Sequence, residues 1–188
     1  QWGYETVNLD PNGFFRWSYQ SEVGVGFATS GENGLYGPDL GATSDRRVHM
    51  TQSVALPAES KPFLRFRHAY GVERRAGANR DGGVVEYSTN NGPTWTDRLL
   101  SSPGAAANGY NGTIFGGNPL AGQFAFVGSS HGYVSSRADL LTLAGQSVRF
   151  RFRIGEDQVG GTNYGWFIDD VRLYTCSPEP VNPSVEVT

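Results

Sequence analysis

The chain has 188 residues, 38% of them hydrophobic and 13% aromatic, with 26 glycines, 10 prolines and a net charge of −3. That is the length of one domain with enough apolar matter for a core; it excludes a disordered chain and favours a turn-rich all-β protein. The weak negative charge argues against a nucleic-acid partner, and no apolar run approaches the roughly 20 residues of a membrane span.

The lone Cys176 excludes an internal disulfide and any Cys-x-x-Cys metal knuckle. A domain of this size needs no such staple, so a secreted, disulfide-free module remains open. The sequence does not open on the basic-then-apolar pattern of a signal peptide. Together with the proline-bearing tail "SPEPVNPSVEVT", this reads as an excised piece of a longer protein. The expected organisation is a module over 1–176, with 177–188 a linker or the start of the next unit.

In chain order, the first strand candidates are "RVHMTQSVAL" and "PFLRFRHAY". In the second, Leu64, Phe66, His68 and Tyr70 alternate with Arg65, Arg67 and Ala69, the period-two pattern of a half-buried strand. His68 among those apolar neighbours reads as a satisfied core histidine. "GGVVEYST" follows, and it runs into "STNNGPTW", a Ser-x-Asn-x-Gly-x-Thr-Trp pattern that resembles the Asp-box of sialidases. Sialidase propellers carry several such boxes, whereas this chain has one box and no repeat of 20 to 50 residues. The box therefore reads as a hairpin, with Asn90-Asn91-Gly92 supplying positive φ and Trp95 folding back. "QFAFVGSS" is another strand candidate. Gly128-Ser129-Ser130-His131-Gly132 beyond it fits G-x-S-x-G, yet it lacks the strand-to-helix context of a nucleophile elbow. "SSRADLLTLAG" is the one helical suspicion, of a turn or two. "SVRFRFRIG" then alternates Val148, Phe150, Phe152 and Ile154 with Arg149, Arg151 and Arg153. "GWFIDDVRLY" closes the series, expected to lie near the N-terminal strand. So many strands with one apolar face imply a two-sheet antiparallel β-sandwich, a jelly roll with almost no helix.

Three readings of the polar residues follow. Arg65, Arg67, Arg149, Arg151 and Arg153 form either a solvated face paired with Glu86 and other carboxylates, or a ligand-binding cleft gripping an anionic polymer. If their strands are neighbours, the arginines make one positive stripe. Glu73 and Asp81 are an acid/base pair for glycoside cleavage only at the right separation, which a sequence does not give. A glycoside hydrolase or polysaccharide lyase is therefore the minority reading.

"YET", "FLRFRHAYGVE" leading to "DGGVVEYSTNNGPTW", "LAGQSVRFRFRIG" and "GWFIDDVRLY" stand in the order seen in MAM-like jelly-roll modules. The nearest resemblance is to the bacterial form beside the catalytic domains of secreted metallopeptidases such as immune inhibitor A, and it covers most of 1–175. The cysteines of animal MAM domains are absent, and "ERRAGANRDGG" is longer than the usual link. The resemblance implies an extracellular, non-catalytic accessory module beside a catalytic domain of the same chain. Its partner would be a glycan or other extracellular polymer; a purely structural or adhesive module is the alternative.

The last expectation is a structural calcium ion. In the closing strand Phe167, Asp169, Val171 and Leu173 share a face that reads as core-facing, and a buried carboxylate needs a partner or a cation. Oxygen-only chemistry without Cys or His spacing suits calcium. The resemblance implies an ion where the last strand meets the first, which makes Glu5 the partner of Asp169. Asp170 is the ligand if the face is off by one, and Asp81 before two glycines is a further candidate. Asp169 bonded to backbone N–H groups or to an arginine is the alternative to an ion.

Overall fold

The computed structural model describes residues 1–7, 17–24, 26–97, 99–100, 106–158, 160 and 163–176. The tail read as a linker lies outside them. The strands are β1 (Trp2–Val7), β2 (Ser18–Tyr19), β3 (Leu35–Gly37), β4 (Ser44–Met50), β5 (Val54–Ala55), β6 (Lys61–Gly71), β7 (Arg74–Arg75) and β8 (Ala78–Asn79). They continue as β9 (Gly82–Ser88), β10 (Ala106–Ala107), β11 (Gly112–Thr113), β12 (Phe124–Ala125), β13 (Val134–Asp139), β14 (Ser147–Glu156) and β15 (Gly165–Cys176). Among the described residues the only helix is two short 3-10 turns, Gln20–Val23 and Leu141–Leu143. None is long and apolar enough to cross a membrane.

Two antiparallel sheets face each other. One runs β1-β4-β14 with β9 and β5 on the far side of β14; the other runs β10-β13-β6-β15-β3-β2. Each long strand contributes alternate side chains to the space between, as its period-two sequence requires. Phe66, Phe150, Phe152, Ile154 and Trp166 are fully or almost fully buried there. Aromatic rings meet edge to face at the centre: Phe66 on Phe152 at 5.2 Å and Phe152 on Trp166 at 5.7 Å. His68 sits among them as expected, its Nε2 2.8 Å from Ser136 and its Nδ1 accepting Trp166 Nε1–H at 3.1 Å.

The β-sandwich is the expected fold, with three corrections. β15 does not close beside β1: it is central in the other sheet, between β6 and β3. The suspected helical turn from Ser135 is instead strand β13 followed by the 3-10 turn. Finally, β15 is not one continuous alternation, because its register against β6 shifts between Asp169 and Arg172. Asp170 takes φ 49° in that bulge, a conformation that Asp tolerates better than most residues. Trp166 and Ile168 therefore face the core before the bulge, while Val171 and Leu173 pack against it after.

The segment that resembles an Asp-box is a hairpin, closed by the bridge between Tyr87 and Thr96. Ser88 Oγ accepts the N–H of Gly92 at 2.9 Å, and Asn90 Oδ1 accepts the N–H of Thr94 at 3.2 Å. Asn91 and Gly92 take φ 63° and 110°. Trp95 comes back over the guanidinium of Arg151 at 4.4 Å. The G-x-S-x-G segment is a turn among strands: Ser130 Oγ accepts the Tyr70 N–H at 2.8 Å and donates to Gly132 O at 2.7 Å.

Candidate functional site

The five arginines singled out in the sequence do not form one stripe. Arg65 and Arg67 lie on β6, and Arg149, Arg151 and Arg153 lie on β14, on the outer faces of opposite sheets. On the β14 side every guanidinium is engaged by its neighbours. Arg151 pairs with Glu86; Arg153 pairs with Asp45 at 2.7 Å and with Glu86 at 3.3 Å. Arg149 donates to the carbonyls of Met50 and Asn91. Burial would push the Asp45 carboxyl up, but Arg153 and then Arg47 outweigh it and hold it below its ordinary range. This ladder follows from strand register, with Glu86 directly opposite Arg151. On the β6 side Arg65 has Arg137 opposite on β13 and Arg172 opposite on β15. That row is exposed.

The expected calcium pair is also separated. Glu5 sits on β1, where it faces Arg47 at 3.6 Å. Asp169 lies on the outer face of the other sheet, because Trp166 and Ile168 take the inward positions. Its Oδ2 accepts the N–H groups of Thr29 at 2.7 Å and Ser30 at 3.0 Å, and its Oδ1 accepts that of Asp170 at 2.7 Å. Those bonds satisfy a buried carboxylate without an ion. Asp170 bonds Ser30 at 2.9 Å and Arg172 at 3.2 Å. Asp81, by contrast, is brought together with Glu73 and Asp157: one oxygen from each lies within 4.8 Å of the others, and all three side chains are buried. Glu73 and Asp81, the pair considered for acid/base work, are 5% and 0% exposed.

Asp169 has a different task. It pins the loop that carries Phe27, whose own N–H is bonded to Gln20 at 2.8 Å. Phe27 stands 46% exposed on the outer face of the β6–β15 sheet. Its ring stacks on Tyr133 at 5.4 Å and tilts on Phe167 at 5.1 Å; Phe167 also stacks on Tyr36 at 4.5 Å. Tyr164, 41% exposed, faces Phe167 at 6.2 Å, and its hydroxyl is tied to the Tyr70 carbonyl. Phe27, Phe167, Tyr164 and His131 line a cleft of about 420 Å³. His131 and Tyr164 also border a second cleft of about 570 Å³ that reaches Arg74, Asn79 and Asn163. An apolar shelf thus runs into a polar one. Burial pushes the Tyr133 hydroxyl up to about 12, so it remains a donor at any physiological pH.

No family model matches the chain, and no curated protein matches it. Solved structures do. The glycoside hydrolase domain of Endo-D from Streptococcus pneumoniae aligns with 92% of this chain at 15% identity and a TM-score of 0.52, although the chain spans only 21% of it. A carbohydrate-binding module, TmCBM61, solved with β-1,4-galactotriose, aligns with 93% of this chain and 88% of its own at 11% identity and a TM-score of 0.50. The K1 cleaved adhesin domain of Lys-gingipain from Porphyromonas gingivalis aligns over 93% and 91% at 18% identity and a TM-score of 0.49. What is shared is the fold. The three are a glycoside hydrolase domain, a carbohydrate-binding module and an adhesin domain. At these identities no binding residue transfers by position, so the site rests on the chain's own geometry.

Neither Phe27 nor Tyr164 was singled out by sequence. Phe27 stands alone in the glycine-rich "GVGFATSG", whereas Tyr164 in "GGTNYGW" has Trp166 two residues on. For Phe27, an aromatic with no periodic partner in such a stretch is the signal that was there to read; Tyr164 carries no such signal.

Proposed function

We propose that the chain is a non-catalytic glycan-binding module of a secreted, multimodular protein, acting beside a catalytic domain. The observation that carries this is the exposed aromatic shelf of Phe27 and Tyr164 backed by Phe167, opening onto a polar cleft. Sugars have an apolar C–H face and a rim of hydroxyls. A site that offers aromatic faces beside hydrogen-bonding groups matches both. The same fold holds β-1,4-galactotriose in TmCBM61. The order of the motifs supports a MAM-like module of the immune inhibitor A type as its relationship, and with it an extracellular location. A purely structural or adhesive role is the competing reading.

A glycan array, with pull-down on insoluble polysaccharides, tests the proposal. The array includes uronate-containing glycans because the Arg65, Arg137 and Arg172 row lies on the same outer face. Binding should fall at least tenfold in Phe27→Ala or Tyr164→Ala, the loss expected of a central aromatic anchor. It should survive Tyr4→Ala, an aromatic 46% exposed elsewhere. Binding of no glycan would leave the structural role. Turnover of a glycan or peptide by the isolated domain would overturn the non-catalytic reading.

A further inference from the structure

We infer that Glu73, Asp81 and Asp157 form a calcium site that clips the two sheets together at one end of the sandwich. The three carboxylates stand at three strand ends. Glu73 lies two residues beyond β6 in one sheet; Asp81 immediately precedes β9 and Asp157 immediately follows β14 in the other. Glu73 is 5%, Asp81 0% and Asp157 4% exposed. Packing like charges out of water is costly unless something of opposite sign is shared among them.

Among the described residues, the protein's own groups leave two of these carboxylates incompletely satisfied. Asp81 Oδ1 accepts the N–H of Asp157 at 2.8 Å, while Asp81 Oδ2 and Glu73 Oε2 are buried with no hydrogen-bond partner. Two arginines approach from the rim, Arg75 at 3.7 Å from Glu73 and Arg80 at 3.9 Å from Asp157. Those distances are long for a guanidinium pair, and neither arginine serves Asp81. Asp39 brings a further carboxylate up to Asp81, and its Oδ1 is likewise buried and unpartnered.

The donors are oxygens only, so a hard cation fits. Ligand atoms within 4.8 Å of one another can share one calcium ion, whose opposite oxygens lie roughly 4.6–5.2 Å apart. Carboxylates from three loops suit calcium's loose geometry better than magnesium's octahedron. The ion would do for this chain, with its single cysteine, what a disulfide does elsewhere.

Calorimetric titration of chelator-stripped protein with calcium chloride tests the site, with melting followed in parallel. The expected result is one equivalent bound and a melting temperature higher by roughly 5–10 °C at a hundredfold excess over the dissociation constant. Asp81→Asn keeps the acceptor for the Asp157 N–H and removes the buried charge. It should lose calcium binding while melting no lower than stripped wild type, which a merely structural aspartate would not allow. Glu73→Gln should weaken binding at least tenfold; Glu5→Gln and Asp169→Asn should bind as wild type does. A wild type that binds no calcium, an Asp81→Asn variant that still binds it, or magnesium bound as tightly would each overturn the assignment.

Discussion

Replacing Arg46 by methionine is expected to cost about 3–5 kcal/mol, the range for orphaning a buried charge. Arg46 and Glu156 are fully buried, with nitrogen and oxygen 2.6 Å apart. They occupy the inner face of the β4–β14 pair, where the guanidinium also reaches the Pro38 carbonyl. Glu156 is held by Ser44 and by the N–H of Leu40 at 2.9 Å as well. Burial still pushes its carboxyl up to about 7, against the opposing pull of Arg46 and of those two bonds. Removing Arg46 leaves that carboxylate unpaired in the interior. Removing both partners should recover most of the loss, because a well-packed apolar pair is often no worse than a buried ion pair. Urea denaturation of wild type, Arg46→Met and Arg46→Met/Glu156→Leu at one fixed calcium concentration checks this. A single variant within 1 kcal/mol of wild type, or a double variant no better than the single, would count against it.

Acid should act through His68. Burial holds its ring at about 3, against an ordinary value of 6.5. The hydrogen-bond network explains why a proton is unwelcome. Ser136 Oγ donates to the Asn108 carbonyl at 2.5 Å, so it accepts from Nε2–H of His68; Nδ1 must then stay bare to accept from Trp166. A second ring proton would set two donors face to face. Between pH 6.5 and 3 the unfolded chain binds a proton at this position that the folded chain does not. Stability therefore falls as pH falls through that window and is unaffected by this group above it. The loss is about 3 kcal/mol by pH 4 and about 4 kcal/mol at pH 3, at roughly 1.4 kcal/mol per pH unit. His68→Gln should be less stable than wild type at pH 7 yet lose less on acidification, so the gap between the two curves narrows. Parallel curves from pH 7 to pH 4 would refute the assignment.

The strands were legible because one buried face imposes period two, and β6 and β14 carry that pattern over their whole length. The fate of His68 was legible for the same reason, since its neighbours at 64, 66 and 70 are apolar. Period two does not survive an inserted residue, and the bulge at Asp170 is why Asp169 was assigned to the wrong side. Nor does it say which of two adjacent arginines is buried: Arg46 and Arg47 must face opposite ways, and only the stacking of the sheets decides. The acidic cluster joins residues as far apart as Glu73 and Asp157 through the arrival of three strand ends, a fact of topology with no local trace. The partner of Arg151 and Arg153 was half visible, because Glu86 could be named but not its register.

Lys61 and Cys176 are direct cross-strand partners at one end of the β6–β15 pair. They are the chain's only lysine and only cysteine, and both are exposed. Tyr164 immediately precedes β15 and Phe167 is its third residue, which places them roughly 30–40 Å along the strand from Cys176. A dye, bead or sensor surface coupled through the thiol would therefore attach where the cleft is not. Surface-based affinity measurements on this domain would have every molecule presenting its aromatic shelf outward, with no engineered tag needed to orient it.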